Sequence, residues 1–418
     1  MNNFFGVSLK SIQEKAVNTL DEIQRVGNAV INNTMDDAQL IYGGAEACYK
    51  ELDKVRVRAL HRAIEYHTLH QRIMRDLKII PVELIDKVWR MVFGDIEGTA
   101  NPRLYQLTNP YEAVWGDTTK RCMKEITDIS THIFPPGRAP FVFVHGAGKR
   151  GNPDDAFYFY YYFEREAKMF NNTEKDYSHA DIYIVSYDGL ITNNTRDLIK
   201  TAFESVLGSI SDYDAPLLFS AVMWRKWEIR AEDTANQVIL PLLKRISDSN
   251  IEAPVLGSGA ITHSLGCYAL AYAAQKFIQE RPEPHQRPFN TWFCMAAALP
   301  ANAFTNTGLF PLAPLIASTF PRGASIGTSV WFSNTDLTLG PLYGMLANQH
   351  FAMGQTGALV SANDLTNIDV TRCTDIVHDD FEYFPRVQYE IKSALGTERF
   401  SEHPPCAINL PTIIDSIS

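Results

Sequence analysis

The sequence is short of several features that would place a protein quickly. Its six cysteines, Cys48, Cys122, Cys267, Cys294, Cys373 and Cys406, lie far apart, and no two form a CxxC pair. That spacing does not indicate a zinc ribbon or a redox dithiol. Six cysteines in 418 residues are also too sparse for a disulfide scaffold, so free thiols in a reducing compartment are expected. A basic surplus is missing: 38 Lys and Arg stand against 48 Asp and Glu, a net charge of −10, which argues against a general nucleic-acid binder. The opening MNNFFGVSLKSIQEK lacks the basic start and apolar core of a signal peptide, so a cytoplasmic setting is expected, although a leaderless exported protein would read the same. No internal repeat or low-complexity tract is present.

Charge is scarce in one place above all. Between Phe289 and Asn363 only Arg322 and Asp336 are formally charged, where the 21% charged share of the whole chain would give about 15. A membrane span is the first reading of the uncharged residues 291–321, but Pro300, Pro311, Pro314 and Pro321 interrupt any continuous helix there. The stretch is therefore deeply buried or faces an apolar partner.

What is present falls into two patterns. Residues 1–130 read as a helical N-terminal region, a candidate surface for a protein partner. Leu9, Ile12, Ala16, Leu20, Ile23 and Val26 recur at three- and four-residue spacing, and Tyr49, Leu52, Val55, Leu60 and Ile64 continue the helical period. Residues 131–395 change character: short apolar runs alternate with helical segments, and residues 396–418 form a C-terminal tail. The predicted strands are 141–146 (FVFVHG), 180–189, the run ending at 264 (GAITHS), 291–299, 328–334 and 373–378, with helices over 223–248 and 265–280. Near-continuous apolar strands alternating with helices predict an α/β fold with a mostly parallel sheet covered on both faces. Ligands in such folds bind beyond the carboxyl ends of the strands.

One strand end carries Thr262-His263-Ser264-Leu265-Gly266 and runs straight into a helix. A sharp strand-to-helix turn holds a serine hydroxyl out over the sheet, and its neighbours must be small because the two backbones nearly touch. Gly266 fits; Thr262 stands where a glycine is usual. The literal GxSxG at Gly323-Ala324-Ser325-Ile326-Gly327 leads into a strand, the wrong order for such a turn. A serine nucleophile needs a base and a group to orient that base, in the chain order serine, acid, histidine. Asp336 is the first acid after Ser264 at a strand's carboxyl end, with Asp364, Asp369 and Asp375 behind it in preference. His378 closes the strand 373–378 and is favoured over His350 and His403. Backbone amides of Leu265, at the helix start, and Ala147, in the glycine-bearing loop after FVFV, are the candidate oxyanion donors. His145 beside that loop reads as structural.

These residues together, FVFVHGAG, ITHSLG, Asp336 and His378, resemble the α/β-hydrolase superfamily over about residues 138–390, and its serine lipase and esterase branch in particular. The resemblance implies an α/β-hydrolase fold, an acyl-enzyme on Ser264, cleavage of carboxylic esters with an apolar or lipid-like acyl group, and no metal or cofactor. Inserts at the place of residues 305–320 often cover the pocket in similar enzymes, which makes Phe310, Leu312 and Leu315 candidate substrate-binding residues; a core-packed connection is the competing reading. Phe157 to Phe163 are seven successive aromatics whose helix must be buried or in contact with lipid, burial being favoured; peripheral membrane contact follows from the other reading. Acyl transfer or thioester cleavage, and an inactive scaffold that binds a partner, are the alternatives the fold also allows.

Overall fold

The computed structural model describes residues 101–116, 122–167, 180–189, 215–252, 258–317, 327–336, 339, 343, 351–359, 365–371, 378 and 408–410. The chain divides into two compact units, Met1–Arg72 and Ile73–Ser418, and every described residue belongs to the second. The helices expected before residue 95, residues 323–326 of the GxSxG string and the expected strand 373–378 apart from His378 lie outside the described residues.

In chain order the elements are β1 (Arg103–Leu107), α1 (Pro110–Trp115), β2 (Met123–Ile126), β3 (Ala139–Val144), α2 (Pro153–Ala167), β4 (Ala180–Ser186), α3 (Ala215–Thr234), α4 (Leu240–Glu252), β5 (Gly259–His263), α5 (Leu265–Glu280), β6 (Thr291–Met295), β7 (Gly327–Phe332), α6 (Met353–Thr356), β8 (Leu365–Asp369) and β9 (Ile408–Leu410). A π-helical segment, Ala235–Ile239, joins α3 to α4. Among the described residues the strands form one nine-stranded sheet in the order β2-β1-β4-β3-β5-β6-β7-β8-β9. The run from β4 to β8 is parallel, and β2, β1 and β9 pair antiparallel at its margins. This is an α/β fold with a mostly parallel mixed sheet and interleaved helices.

The central strands are buried along their whole length because helices cover both faces. Side chains alternate between the two faces with the period of two that a pleated strand imposes. Val142, Val144, Tyr183, Val185, Ala260, Trp292 and Cys294 join one apolar cluster, which α4 and α5 close. Phe141, Phe143, Ile182, Ile184, Ile261, Phe293 and Met295 join the other, under α1 and α2. The seven aromatics of α2 divide along the same line. Phe159, Tyr160 and Phe163 meet the Phe143 ring edge-on at 5.0–6.2 Å, whereas Tyr158 and Tyr162 face solvent at 43% and 39% exposure. The outward positions are tyrosines, whose hydroxyls water can solvate, so the helix is amphipathic rather than apolar all round.

The sheet extends past residues 131–395 at both ends. β1 and β2 fall inside the region read as helical, and β9, from the tail, pairs with β8. β8 itself is a strand that the apolar pattern does not announce. β1, β2 and β8 are short and only half covered, with alternating or patchy burial, so they lack the near-continuous apolar runs of β3, β4 and β6. The predicted helix over 223–248 is longer, from Ala215 to Glu252, and contains the π segment. Among the described residues, no helix is long and apolar enough to cross a membrane.

Candidate active site

Strand order reverses at β3: β4 lies on one side of it and β5 on the other, so the chains leaving β3 and β5 diverge above the sheet. That divergence opens a crevice at the carboxyl ends of the two strands. The segments leaving those two strand ends carry Gly146-Ala147-Gly148 and Ser264.

Ser264 sits between β5 and α5 with φ +52° and ψ −119°, a region L-residues avoid. Its N–H donates to the Met295 carbonyl at 3.0 Å, and its own carbonyl accepts from the Cys267 and Ala298 amides at 3.1 and 3.2 Å. The turn is as tight as the residue types allow. A Cβ at Gly266 would stand 2.3 Å from the Val144 carbonyl oxygen, and one at Gly146 would stand 2.8 Å from the Ser264 Cβ. Both glycines are therefore required by close backbone approach. Thr262, where glycine is usual, fits because its side chain is turned into the buried space between β6 and α5.

Asp336 follows β7, in a turn closed by its own N–H to the Ser333 carbonyl at 3.2 Å. It is 1% exposed. One carboxylate oxygen accepts the Leu339 N–H at 2.9 Å, and the other lies 2.6 Å from Nδ1 of His378. Nε2 of His378 lies 2.7 Å from Oγ of Ser264. With the carboxylate able only to accept, Nδ1 carries the proton, and Nε2 is left as the acceptor for the serine hydroxyl. The structure thus joins Ser264, His378 and Asp336 in one hydrogen-bonded line. The His263 ring lies 4.9 Å from the His378 ring and walls one side of it.

The loop after β3 is pinned from below and from the side. His145 is fully buried, with Nδ1 2.8 Å from the Gly146 carbonyl oxygen, and Nε2 accepting the Tyr187 N–H at 3.3 Å. Its ring stacks on Tyr187 at 4.4 Å, and the Tyr187 hydroxyl returns a bond to the His145 carbonyl at 2.8 Å. Burial pushes the His145 imidazole down to about 4, so it is neutral near pH 7 and works as a brace. At the loop's far side, the Gly148 N–H donates to the Gly189 carbonyl at 3.0 Å and the Gly189 N–H to the Lys149 carbonyl at 2.9 Å. Trp227 of α3 also donates to the Gly189 carbonyl, at 2.9 Å.

Ala147 lies between these fixed points, next to the glycine that presses on Ser264. Leu265 is the first residue of α5, and a helix's first amides have no partner within the helix. Leu265 thus follows the serine directly, and Ala147 follows the glycine that packs on it. Phe310, Leu312 and Leu315 are placed elsewhere on the same scaffold. Phe310 is buried edge-on against Tyr268 and Tyr272 of α5, at 5.4 and 6.1 Å. Leu312 and Leu315 are half-buried on the same cluster, and the Leu312 N–H donates to Gln275 of α5 at 2.8 Å.

Three supporting groups were not visible from the sequence: Leu339, Gly189 and Trp227. Only Leu339 has a local signal, since an Asp side chain commonly accepts an amide a few residues on; Gly189 acts through its backbone and Trp227 through its indole N–H, both over long sequence separations. Among the described residues, no group of three or more His, Cys, Asp or Glu is arranged to hold a metal ion. Comparison of the chain with family models, curated proteins and solved structures finds no match.

Proposed function

We propose that the protein is a serine ester hydrolase of the α/β-hydrolase type, cleaving esters with an apolar or lipid-like acyl group. The observation that carries this reading is the Ser264–His378–Asp336 line, with spacings of 2.7 and 2.6 Å, at the carboxyl-end crevice of the sheet. His378 Nε2 takes the Ser264 proton as Oγ attacks the ester carbonyl. The carbonyl oxygen gains the negative charge, and the amides of Ala147 and Leu265 stabilise it. Asp336 keeps the proton on Nδ1 and stabilises the imidazolium. His378 then gives its proton to the departing alkoxide, leaving an acyl-Ser264. A water, deprotonated by the same nitrogen, attacks that acyl group, and the carboxylic acid leaves as Ser264 recovers its proton.

The apolar acyl group rests on the family resemblance alone: the uncharged stretch from Phe289 to Asn363 contains the buried strands β6 and β7, and Phe310, Leu312 and Leu315 pack on the core cluster beside α5. A fluorophosphonate probe tests the reaction class. Labelling of the wild type at Ser264, and none of Ser264→Ala, is the expected result; folded wild-type protein that resists the probe would sink the proposal in favour of an inactive scaffold. A panel of acyl chain lengths, with and without added alcohols or thiols, separates hydrolysis from acyl transfer.

A further inference from the structure

We infer that Thr262 is a positioning residue for the nucleophile, acting through a buried hydrogen-bond chain that ends on the carbonyl holding Ser264. The inference rests on the proposed role of Ser264.

The chain begins at Trp292 in β6. Its indole N–H donates to Oγ1 of Thr262 at 2.9 Å. Thr262 Oγ1 lies 3.1 Å from Sγ of Cys267 and 3.3 Å from the Phe293 carbonyl oxygen. Cys267 Sγ lies 3.4 Å from the Met295 carbonyl oxygen. That same oxygen accepts the Ser264 N–H at 3.0 Å. Trp292, Thr262, Cys267 and Met295 are fully buried, so no water substitutes for a missing member.

The two ends set the direction. An indole N–H can only donate and a carbonyl can only accept. Thr262 therefore receives from Trp292 and shares its single proton between the Cys267 sulfur and the Phe293 carbonyl, and the Cys267 S–H points at Met295. The order is Trp292 to Thr262 to Cys267 to Met295, with Ser264 meeting the last of these from the other side. Met295 is fixed beyond its own carbonyl as well: the next residue, Ala296, holds φ +46° and donates its N–H to the Trp331 carbonyl at 2.9 Å.

This matters because Ser264 occupies a disfavoured conformation. Such a conformation persists only where its surroundings over-determine it. A glycine at position 262 would permit the turn but would leave the Trp292 N–H and the Cys267 sulfur without the hydroxyl. Threonine at this site supplies what glycine cannot: a bonded strut between β6, α5 and the peptide behind the serine.

The test compares Thr262→Val, which keeps the shape and drops the hydroxyl, with Thr262→Ser, which keeps the hydroxyl. Fluorophosphonate labelling rate, kcat and KM on a short-chain nitrophenyl ester, and the melting temperature are measured together. Thr262→Val is expected to lose at least tenfold in kcat and labelling rate with KM within twofold; Thr262→Ser should keep at least half of both rates. A purely structural residue would move the melting temperature and leave the kcat of folded protein alone. Folded Thr262→Val with a kcat within twofold of wild type would overturn the inference, as would a Thr262→Ser variant impaired equally. If Thr262→Val does not fold, Cys267→Ala interrupts the same chain one member later, and a wild-type kcat in that variant would overturn it too. Wild-type protein that the probe does not label overturns the Ser264 reading itself and this inference with it.

Discussion

Oδ2 of Asp336 lies 2.6 Å from Nδ1 of His378, and the carboxylate cannot swing away, because Oδ1 is engaged by the Leu339 N–H. The pair is thus oriented from both ends, and this makes Asp336→Asn an informative change. The amide oxygen takes over the Leu339 bond, and the amide N–H₂ then faces Nδ1. His378 is pushed to the tautomer with its proton on Nε2, which cannot accept from Ser264. A loss of about a thousandfold or more in kcat is expected, with little change in KM or fold. Steady-state kinetics beside circular dichroism checks both parts; unaffected turnover would remove Asp336 from its role.

His145 predicts a pH dependence of stability. In the folded protein its pKa is lowered to about 4, against about 6.5 when unfolded. Above pH 6.5 neither state is protonated at this residue, and its neutral form costs nothing. As pH falls from 6.5 to 4 the unfolded chain binds a proton that the folded chain refuses, so stability drops, by about 3 kcal/mol in all, and levels off below that. Urea unfolding of wild type and His145→Gln at pH 7 and pH 4.5 reads this directly. The wild type should lose more stability between the two than the variant; equal losses would assign the acid sensitivity to other groups.

Gly146→Ala introduces a Cβ 2.8 Å from that of Ser264. The overlap falls on backbone-fixed atoms, so either the loop or the serine has to shift. Displacements of this order at a reacting centre cost about a hundredfold in rate. The variant is expected to fold, since the loop keeps its bonds to Gly189, and to lose kcat by about that factor. Labelling by the fluorophosphonate probe at the wild-type rate would contradict the geometry.

Phe310→Ala separates packing from substrate contact. The ring is 6% exposed against Tyr268 and Tyr272, so its removal leaves a cavity that should cost about 3–5 kcal/mol. A thermal melt measures that loss. An acyl-length profile measured below the lowered melting point shows whether the residue also touches substrate: a shifted optimum assigns it to the pocket wall, and an unchanged one leaves it as core under α5.

The central sheet was legible because burial on both faces forces a near-continuous apolar run, which is clearest in β3, β4 and β6. β1, β2 and β8 escaped notice because half-covered strands mix polar and apolar residues over only four or five positions. In the site, Ser264, Asp336 and His378 stood out by chain order, and Ser264 and Asp336 also by their places just after β5 and β7; the strand expected at 373–378 lies outside the described residues except for His378. Asp336 stood out further because it is the lone acid in a long uncharged stretch. The support around them was invisible for a physical reason. Met295, Gly189 and Leu339 act through backbone groups, which every residue carries, and only the fold decides which of them meet. Thr262 looked like a defect in a glycine pattern; its hydroxyl has a purpose only once Trp292 and Cys267 are beside it.

The backbone of Ser264 sets the two demands on this chain against each other. At φ +52° and ψ −119° glycine would sit without penalty, whereas serine raises the energy of the folded state. A population selected for durability alone would drift toward glycine at this position and lose the hydroxyl. The strained serine is held there by its neighbours, and a conformation kept at such a cost is what the proposed nucleophilic role of Ser264 would account for.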